Sequence, residues 1–450
     1  MAHPSDTPCF KTMDINDFLK RSVVNFWAAD TVCHMLDEAG FTRLHATDSW
    51  DIRPGEGYYI TQNDSAVFAF VTADTVAGVV PFRIISAHSD SPCFRVKPNA
   101  EILSDGRMMK LNTEVYGGPI LSTWFDRPLS LAGRVVVRGK DALHPYIRLV
   151  KFDLPLMTIP SLAIHYNRQV NDGYAISRQK DMLPIVGRLP ENEKPEGWLT
   201  RLVAAELGLR IEDILDYDLS VYDTTGPETV GAYDDFITCG RLDDLSMVHA
   251  AVTSLINAVN QKRNADFTRV VAIFDNEETG SGTKQGAGSP ILDYVLRRIN
   301  ASMKQSEENY MRSIADSFMI SADNAHGVHP NYVEKQDPTN HPVLGKGPVI
   351  KINANCKYMT DAVSAAIFAS ICHEAGVPVQ YFVNHSDTAG GSTLGNILTS
   401  QIPLRGVDMG AAIWAMHSAR ETASIADHNY VISAFTHFFS RLDNSSSKTL

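Results

Sequence analysis

The chain lacks paired cysteines. Its six cysteines, at positions 9, 33, 93, 239, 356 and 372, are scattered and none forms a C-x-x-C pair, which argues against a disulfide framework and for a reduced compartment. Positive charge is not in surplus: 40 Lys and Arg face 52 Asp and Glu, for a formal net charge of -12, so no basic nucleic-acid face is implied. No apolar run approaches the roughly 20 residues that a membrane-crossing helix needs. The opening Met-Ala-His-Pro-Ser-Asp-Thr-Pro-Cys has no basic patch followed by an apolar stretch, so no secretory signal is expected. Repeats are absent, and low complexity is confined to a short Ser-rich tail at 445–447. The expectation is a soluble cytoplasmic protein without nucleic-acid or membrane partners. The sequence also lacks a one-helix His-Glu-x-x-His signature, so any metal site must be assembled from distant segments.

What is present is ample apolar material. A chain of 450 residues with 44% hydrophobic content can bury a large core and is long enough for two domains. Residues 14–39 carry apolar groups at helical spacing, with Asp14 or Asn16 placed to cap the start and Gly40 the end. Apolar runs at 66–71 and 82–87 read as strands. Between about 96 and 230 the texture changes to short candidate strands, including 109–115, 133–138 and 161–166, punctuated by Gly, Pro, Asn and Asp. A helical pattern returns only around 191–215. From 235 onward, helical periods at 242–259, 289–299, 361–374 and 409–421 alternate with strand patterns at 269–274, 319–323 and 377–382. Alternation of this kind predicts an α/β sandwich. The predicted organisation is a discontinuous main domain, 1–95 and 235–450, with an inserted β-rich domain at 96–234. One elaborated sheet with long loops is the alternative.

Candidate chemistry gathers where strands or turns end. In open α/β sheets, functional groups collect at the carboxyl ends of strands. The apolar run Arg269-Val-Val-Ala-Ile-Phe ends in Asp-Asn-Glu277-Glu278-Thr-Gly280. Such a doublet can divide two jobs, with Glu278 gripping a metal and Glu277 moving a proton. His88, Asp243, Asp323 and His417 are further candidate ligands, and two divalent ions could share one bridging carboxylate. Asp90, two residues beyond His88, could hold the second imidazole N–H and fix the ring tautomer. Each feature also has an ordinary explanation. His-x-Asp occurs in polar turns, and Asp243 could be a first-turn acid that favours the helix dipole. Asp323 could cap a turn, and His417, on a helix-like apolar pattern, could be a hydrogen-bonded core histidine.

Five separated segments together resemble the M18 family of metalloaminopeptidases, which includes aspartyl aminopeptidase. They are Ser86-Ala-His88-Ser-Asp90-Ser-Pro-Cys-Phe-Arg95-Val-Lys, Arg241-Leu-Asp243-Asp, Asp275-Asn-Glu277-Glu278-Thr-Gly-Ser, Ser321-Ala-Asp323-Asn-Ala-His326-Gly-Val-His329-Pro-Asn-Tyr, and Ala415-Met-His417-Ser-Ala-Arg-Glu421. The resemblance runs in family order over nearly the whole chain. It implies that His88, Asp243 and Asp323 bind one metal. Asp243 would bridge to a second, held also by Glu278 and His417, while Glu277 is the catalytic glutamate. Zinc is the usual assignment, with cobalt or manganese as possible substitutes.

The resemblance also places His165, within Ile159-Pro-Ser-Leu-Ala-Ile-His165, in a neighbouring subunit's active site. It puts His326, Lys351 and Tyr358 against the substrate, and implies a tetrahedral dodecamer. One departure is Thr388-Ala389-Gly390, where the family often has Met-Pro-Cys. Loss of a proline and gain of a glycine loosen the turn there. The expected activity is removal of one N-terminal residue from a peptide with a free α-amine, favouring Asp or Glu through Lys351. The other readings are a dinuclear metal amidase or deacylase, and a non-catalytic self-assembling scaffold.

Overall fold

The computed structural model describes residues 10–75, 78–261 and 264–440. Its frame is a mixed nine-stranded sheet with helices on both faces. In spatial order the strands are Thr42–Arg43, Gly57–Gln62, Ala66–Val71, Thr268–Phe274, Phe82–His88, Phe318–Ala322, Arg405–Gly410, Val349–Ile352 and Gln380–Val383. The middle four, from Thr268–Phe274 to Arg405–Gly410, run parallel. Thr268–Phe274 and Phe318–Ala322 are buried at every position. Strands covered on both faces need continuous apolar runs rather than alternation, which is what these segments supply.

One face is covered by the helices Asn25–Glu38, Leu242–Asn260, Ala362–Glu374 and Ile425–Ser440. Ile291–Ser302, Glu307–Asp316 and Leu394–Thr399 cover the other. Leu242–Asn260 is buried almost all round because it packs between the sheet and Ile425–Ser440. At the chain's start, the helical pattern at 14–39 divides into Ile15–Arg21 and Asn25–Glu38; Asp14 caps the first by accepting from Asn16 N–H.

A second sheet is antiparallel and six-stranded. It orders Tyr146–Lys151, Leu129–Val137, Ile214–Asp223, Cys93–Ser104, Met108–Tyr116 and Ile185–Arg188 around its own core of Phe94, Leu131, Val135, Leu219 and neighbours. A third, five-stranded sheet joins Glu228–Val230, Phe236–Cys239, Glu421–Ser424, Ala412–Trp414 and Ala325–His326.

Two sequence expectations fail here. The 409–421 stretch is not a helix. Arg405–Gly410 and Ala412–Trp414 are strands, a turn follows, and Glu421–Ser424 is a strand again. The cause is long-range pairing: Asp323 N–H donates to the Met409 carbonyl and Ala325 N–H to the Ala411 carbonyl. Gly410 permits the approach, since a Cβ there would lie 1.9 Å from the Asp323 carbonyl oxygen. Partners so distant outweigh the local helical period. The 161–166 stretch is not a strand either but an exposed irregular segment and turn, in which the Ala163 carbonyl accepts from Tyr166 N–H, and the Ala163 and Ile164 carbonyls accept from the adjoining Asn167 N–H. No strand among the described residues pairs with it to complete a ladder.

The fold predicts where stability resides. Phe435, fully buried on Ile425–Ser440, should cost about 3–5 kcal/mol when changed to Ala. Urea unfolding should show that loss, whereas Phe435→Leu should lose much less.

Candidate metal centre

The parallel strands deliver acids and a histidine to one edge. His88 ends Phe82–His88 and is in register with Phe274, so Asp275 to Glu278 emerge directly beside it. Asp323 follows Phe318–Ala322 on the other side of the same strand. Asp243 and Asp244 enter from the start of the helix Leu242–Asn260, where their dihedrals are still non-helical. His417 enters from the turn between Ala412–Trp414 and Glu421–Ser424.

These side chains form three overlapping groups: His88, Asp243, Asp244 and Asp323; His88, Glu277 and Glu278; and Asp243, Glu278 and His417. Within each group the donor atoms lie within 4.8 Å of one another. Asp243 is the hinge. Its Oδ1 is 3.7 Å from His88 Nε2, and its Oδ2 is 3.5 Å from His417 Nε2, which also sits 3.3 Å from Glu278 Oε2.

Both imidazoles are oriented by their other nitrogen. His88 Nδ1 lies 3.0 Å from the Asp90 backbone carbonyl, and His417 Nδ1 lies 3.1 Å from the Gly118 carbonyl. A proton on each Nδ1 leaves Nε2 free to face the cluster. The Asp90 carboxylate, expected to do this for His88, is 3.4 Å from Nδ1. Its closer partners are elsewhere: it accepts from the Glu277 and Glu278 backbone N–H groups, at 3.1 Å each, and from the Tyr116 hydroxyl at 2.7 Å. Asp90 therefore holds the turn that presents both glutamates.

Glu421 does a similar job for the opposite side. It is buried, and its two oxygens accept from the backbone N–H of His417 at 2.7 Å and of Asp243 at 3.0 Å. His417 itself has a left-handed backbone, φ 69°. A non-glycine residue there costs about 1–3 kcal/mol, so its turn must be held by its surroundings. The Glu421 carboxylate and the bond from Ile120 N–H to the His417 carbonyl hold it. Sequence reasoning gave no role to Glu421, Asp244, Tyr116 or Gly118. Glu421 and Asp244 stood inside quoted motifs; Tyr116 and Gly118 carried no local signal.

Electrostatics make the cluster costly without counter-charge. Burial pushes the Glu277 carboxyl up to about 7, with Asp323, Asp243 and Asp90 adding to the effect against the opposing pull of His88. Glu421 is pushed up to about 8, again mainly by burial and then by Asp243. Burial also raises Glu278 and Asp244 far above the usual carboxylate range. Burial works against Asp243 too, but the hydrogen bond from His417 and the charge of His88 outweigh it and hold its carboxyl low. Asp243 Oδ1, Asp244 Oδ1 and Glu278 Oε1 are buried with no hydrogen-bond donor among the described residues. Unpaired buried carboxylates are destabilising by several kcal/mol. Divalent cations bound by the His and carboxylate donors would remove that penalty, so the residues fit a dinuclear metal site.

The remaining expected residues divide. Lys351 is buried at 4% exposure, its Nζ 3.3 Å from Asp323 Oδ1 and 5.8 Å from the Tyr358 ring centre. Tyr358 is buried with it. His326 is exposed, its ring 6.0 Å from that of Phe382. His165 stands in the exposed 161–166 segment, with no hydrogen bond or ion pair among the described residues.

The model of the family described as aminopeptidase I zinc metalloprotease (M18) matches residues 18–439. The chain belongs to the M18 aminopeptidase family. It is a metal-dependent aminopeptidase, with a dinuclear metal site of the kind that family's catalysis requires. A probable M18 family aminopeptidase 2 of Clostridium novyi (strain NT) is 45% identical over 426 residues, covering 95% of this chain and 98% of that protein. Its counterpart in Pseudomonas aeruginosa (strain UCBPP-PA14) is 41% identical over 425 residues, covering 94% and 96%. Among solved structures, the chain is similar to one in the cryo-EM structure of the Ape4 and Nbr1 complex. There the TM-score is 0.90 at 33% identity, covering 95% of this chain and 85% of that one. The S. cerevesiae mApe1 dodecamer matches with a TM-score of 0.81 at 25% identity, covering 95% of each chain.

The support role of Glu421 is testable. Glu421→Gln turns one acceptor into a donor facing a backbone N–H. Metal affinity, measured by competition with a chelator, should fall roughly 10–100-fold. Unchanged affinity would show that the two backbone N–H groups do not need that carboxylate.

Proposed function

We propose that this M18 aminopeptidase removes acidic first residues from peptides with a free N-terminus, using Glu277 as general base. The observation that carries the reading is Asp243, whose two oxygens face His88 and His417 from opposite sides. In this assignment His88, Asp243 and Asp323 hold one divalent ion, and Asp243, Glu278 and His417 the other. When bound, the pair lowers the pKa of a water and polarises the scissile carbonyl. Zinc suits the mixed histidine and carboxylate donors, with cobalt or manganese as possible replacements.

The chain's own residues do the rest. Asp90 fixes the backbone of Glu277 and Glu278 through its two accepted N–H bonds. Glu277, its backbone fixed by Asp90, is poised to take a proton from the attacking water and return it to the leaving amine. Lys351 is the specificity group. Its ammonium now rests on Asp323. Once Asp323 engages a cation, the buried lysine needs another anion, which an Asp or Glu side chain supplies and a neutral one does not. Tyr358 and His326 line the same approach.

His165 completes the site from a neighbouring subunit in a tetrahedral dodecamer, where it stabilises the developing oxyanion. Its exposed setting, beside exposed Leu162, Ile164 and Tyr166, leaves it available for such a contact. The likeness to a structure described as a dodecamer supports that assembly. The division into a catalytic unit, 1–95 and 235–450, and an inserted unit, 96–234, accords with the separate six-stranded sheet, whose strands span residues 93 to 223. No helix among the described residues is long and apolar enough to cross a membrane, which fits a cytoplasmic setting.

Glu277→Gln should lower kcat about 10²–10⁴-fold while metal content is kept. Loss of metal instead would make Glu277 a ligand. For Lys351→Met, the kcat/KM ratio for Asp over Leu first residues should fall roughly 10–100-fold. A wild-type preference for Leu or Met first residues would overturn the role given to Lys351. Equal turnover of free and N-acetylated peptides would contradict recognition of a free α-amine.

A further inference from the structure

A cavity of about 340 Å³ lies behind the metal centre, between the N-terminal helices, the six-stranded sheet and the turn after Thr268–Phe274. None of Asp243, Glu277, Glu278, Asp323 or His417 lines it. It does share Asp90, Tyr116 and Asn276 with the support of the two glutamates. Its volume falls in the range of small-molecule sites, about 300–1,000 Å³.

The charges on its wall are unevenly satisfied. Every acid there is already engaged. Asp90 accepts from two backbone N–H groups and Tyr116, and Asp275 from Asn25 and its neighbour Asn276. Asp218 is shared by Arg95 and Arg134, and Asp223 pairs with Arg127 at 2.8 Å. Two cations are left over. Among the described residues the Lys284 side chain reaches only the neutral Asn63 side chain, at 2.9 Å. The Arg241 side chain makes no hydrogen bond or ion pair among the described residues, and its Nε is buried without a partner there. Arg241 is half-buried with its Nε out of reach of solvent, and the planar donors of a guanidinium match a carboxylate, phosphate or sulfonate. Val24, Phe26 and Trp124 give the same cavity an apolar side.

We propose that this cavity binds a small organic anion bearing an apolar group, with Arg241 as its anion contact. Arg241 heads the Arg241-Leu-Asp243 motif, yet it takes no part in the chemistry assigned to that motif. The occupant would sit directly behind the turn that carries Glu277 and Glu278.

The test is calorimetric titration of the metal-loaded enzyme with benzenesulfonate, the metal centre being blocked by excess amino-acid hydroxamate. Saturable binding should persist in the blocked enzyme. Neutral benzenesulfonamide should bind about tenfold more weakly or worse, and Arg241→Met should weaken benzenesulfonate by about tenfold or more. Val24→Phe, which narrows the cavity and leaves Arg241 in place, should also weaken it, and this arm decides if Arg241→Met does not fold. Absence of saturable binding, its abolition by the hydroxamate, equal binding of the sulfonamide, or unchanged affinity in both folded variants would overturn the proposal.

Discussion

The structure depends on keeping several carboxylates out of water at one sheet edge. Asp243, Asp244, Glu278 and Glu421 are buried there beside Glu277 and Asp323, against His88, His417 and Lys351 as the facing cationic groups. Burial penalises the charged form of each acid, and the acids penalise one another. A protein does not collect such charge without something to balance it. The orphaned oxygens of Asp243, Asp244 and Glu278 mark where the balance is missing. Divalent cations meet that need, and the same cluster holds Glu277 beside the donors that would bind them.

The fold makes the collection possible through parallel strands. Phe82–His88, Thr268–Phe274 and Phe318–Ala322 lie side by side, and each ends at the same edge. Residues almost 190 positions apart, such as Asp90 and Glu278, thereby become hydrogen-bond partners. Rigid support then sets orientation. Backbone carbonyls of Asp90 and Gly118 turn the imidazoles, while the carboxylates of Asp90 and Glu421 grip backbone N–H groups. Asp90 and Glu421 thus act on the glutamates, Asp243 and His417 by holding their backbones.

Much of this was legible in the residues. The apolar runs leading to His88, Glu277 and Asp323 are recognisable as buried strands, because strands covered on both faces must be apolar throughout. His417 was harder to place. Its surroundings carry a helical period, but pairing with the Phe318–Ala322 strand and the backbone beyond it pulls 405–414 into strands and leaves His417 on a turn. Local periodicity holds no record of a partner so distant in the chain. The 161–166 segment failed for the complementary reason: no strand among the described residues pairs with it. Glu421 was visible only as part of a motif, since its function lies in two backbone bonds that only the folded chain brings together.

The central claim is that one carboxylate, Asp243, is shared by two cations. Anomalous diffraction from metal-replete crystals, recorded at the metal's absorption edge, tests it directly. The account predicts two peaks about 3.5–4 Å apart, one on each side of Asp243. A single peak, or two that do not both touch Asp243, would contradict it.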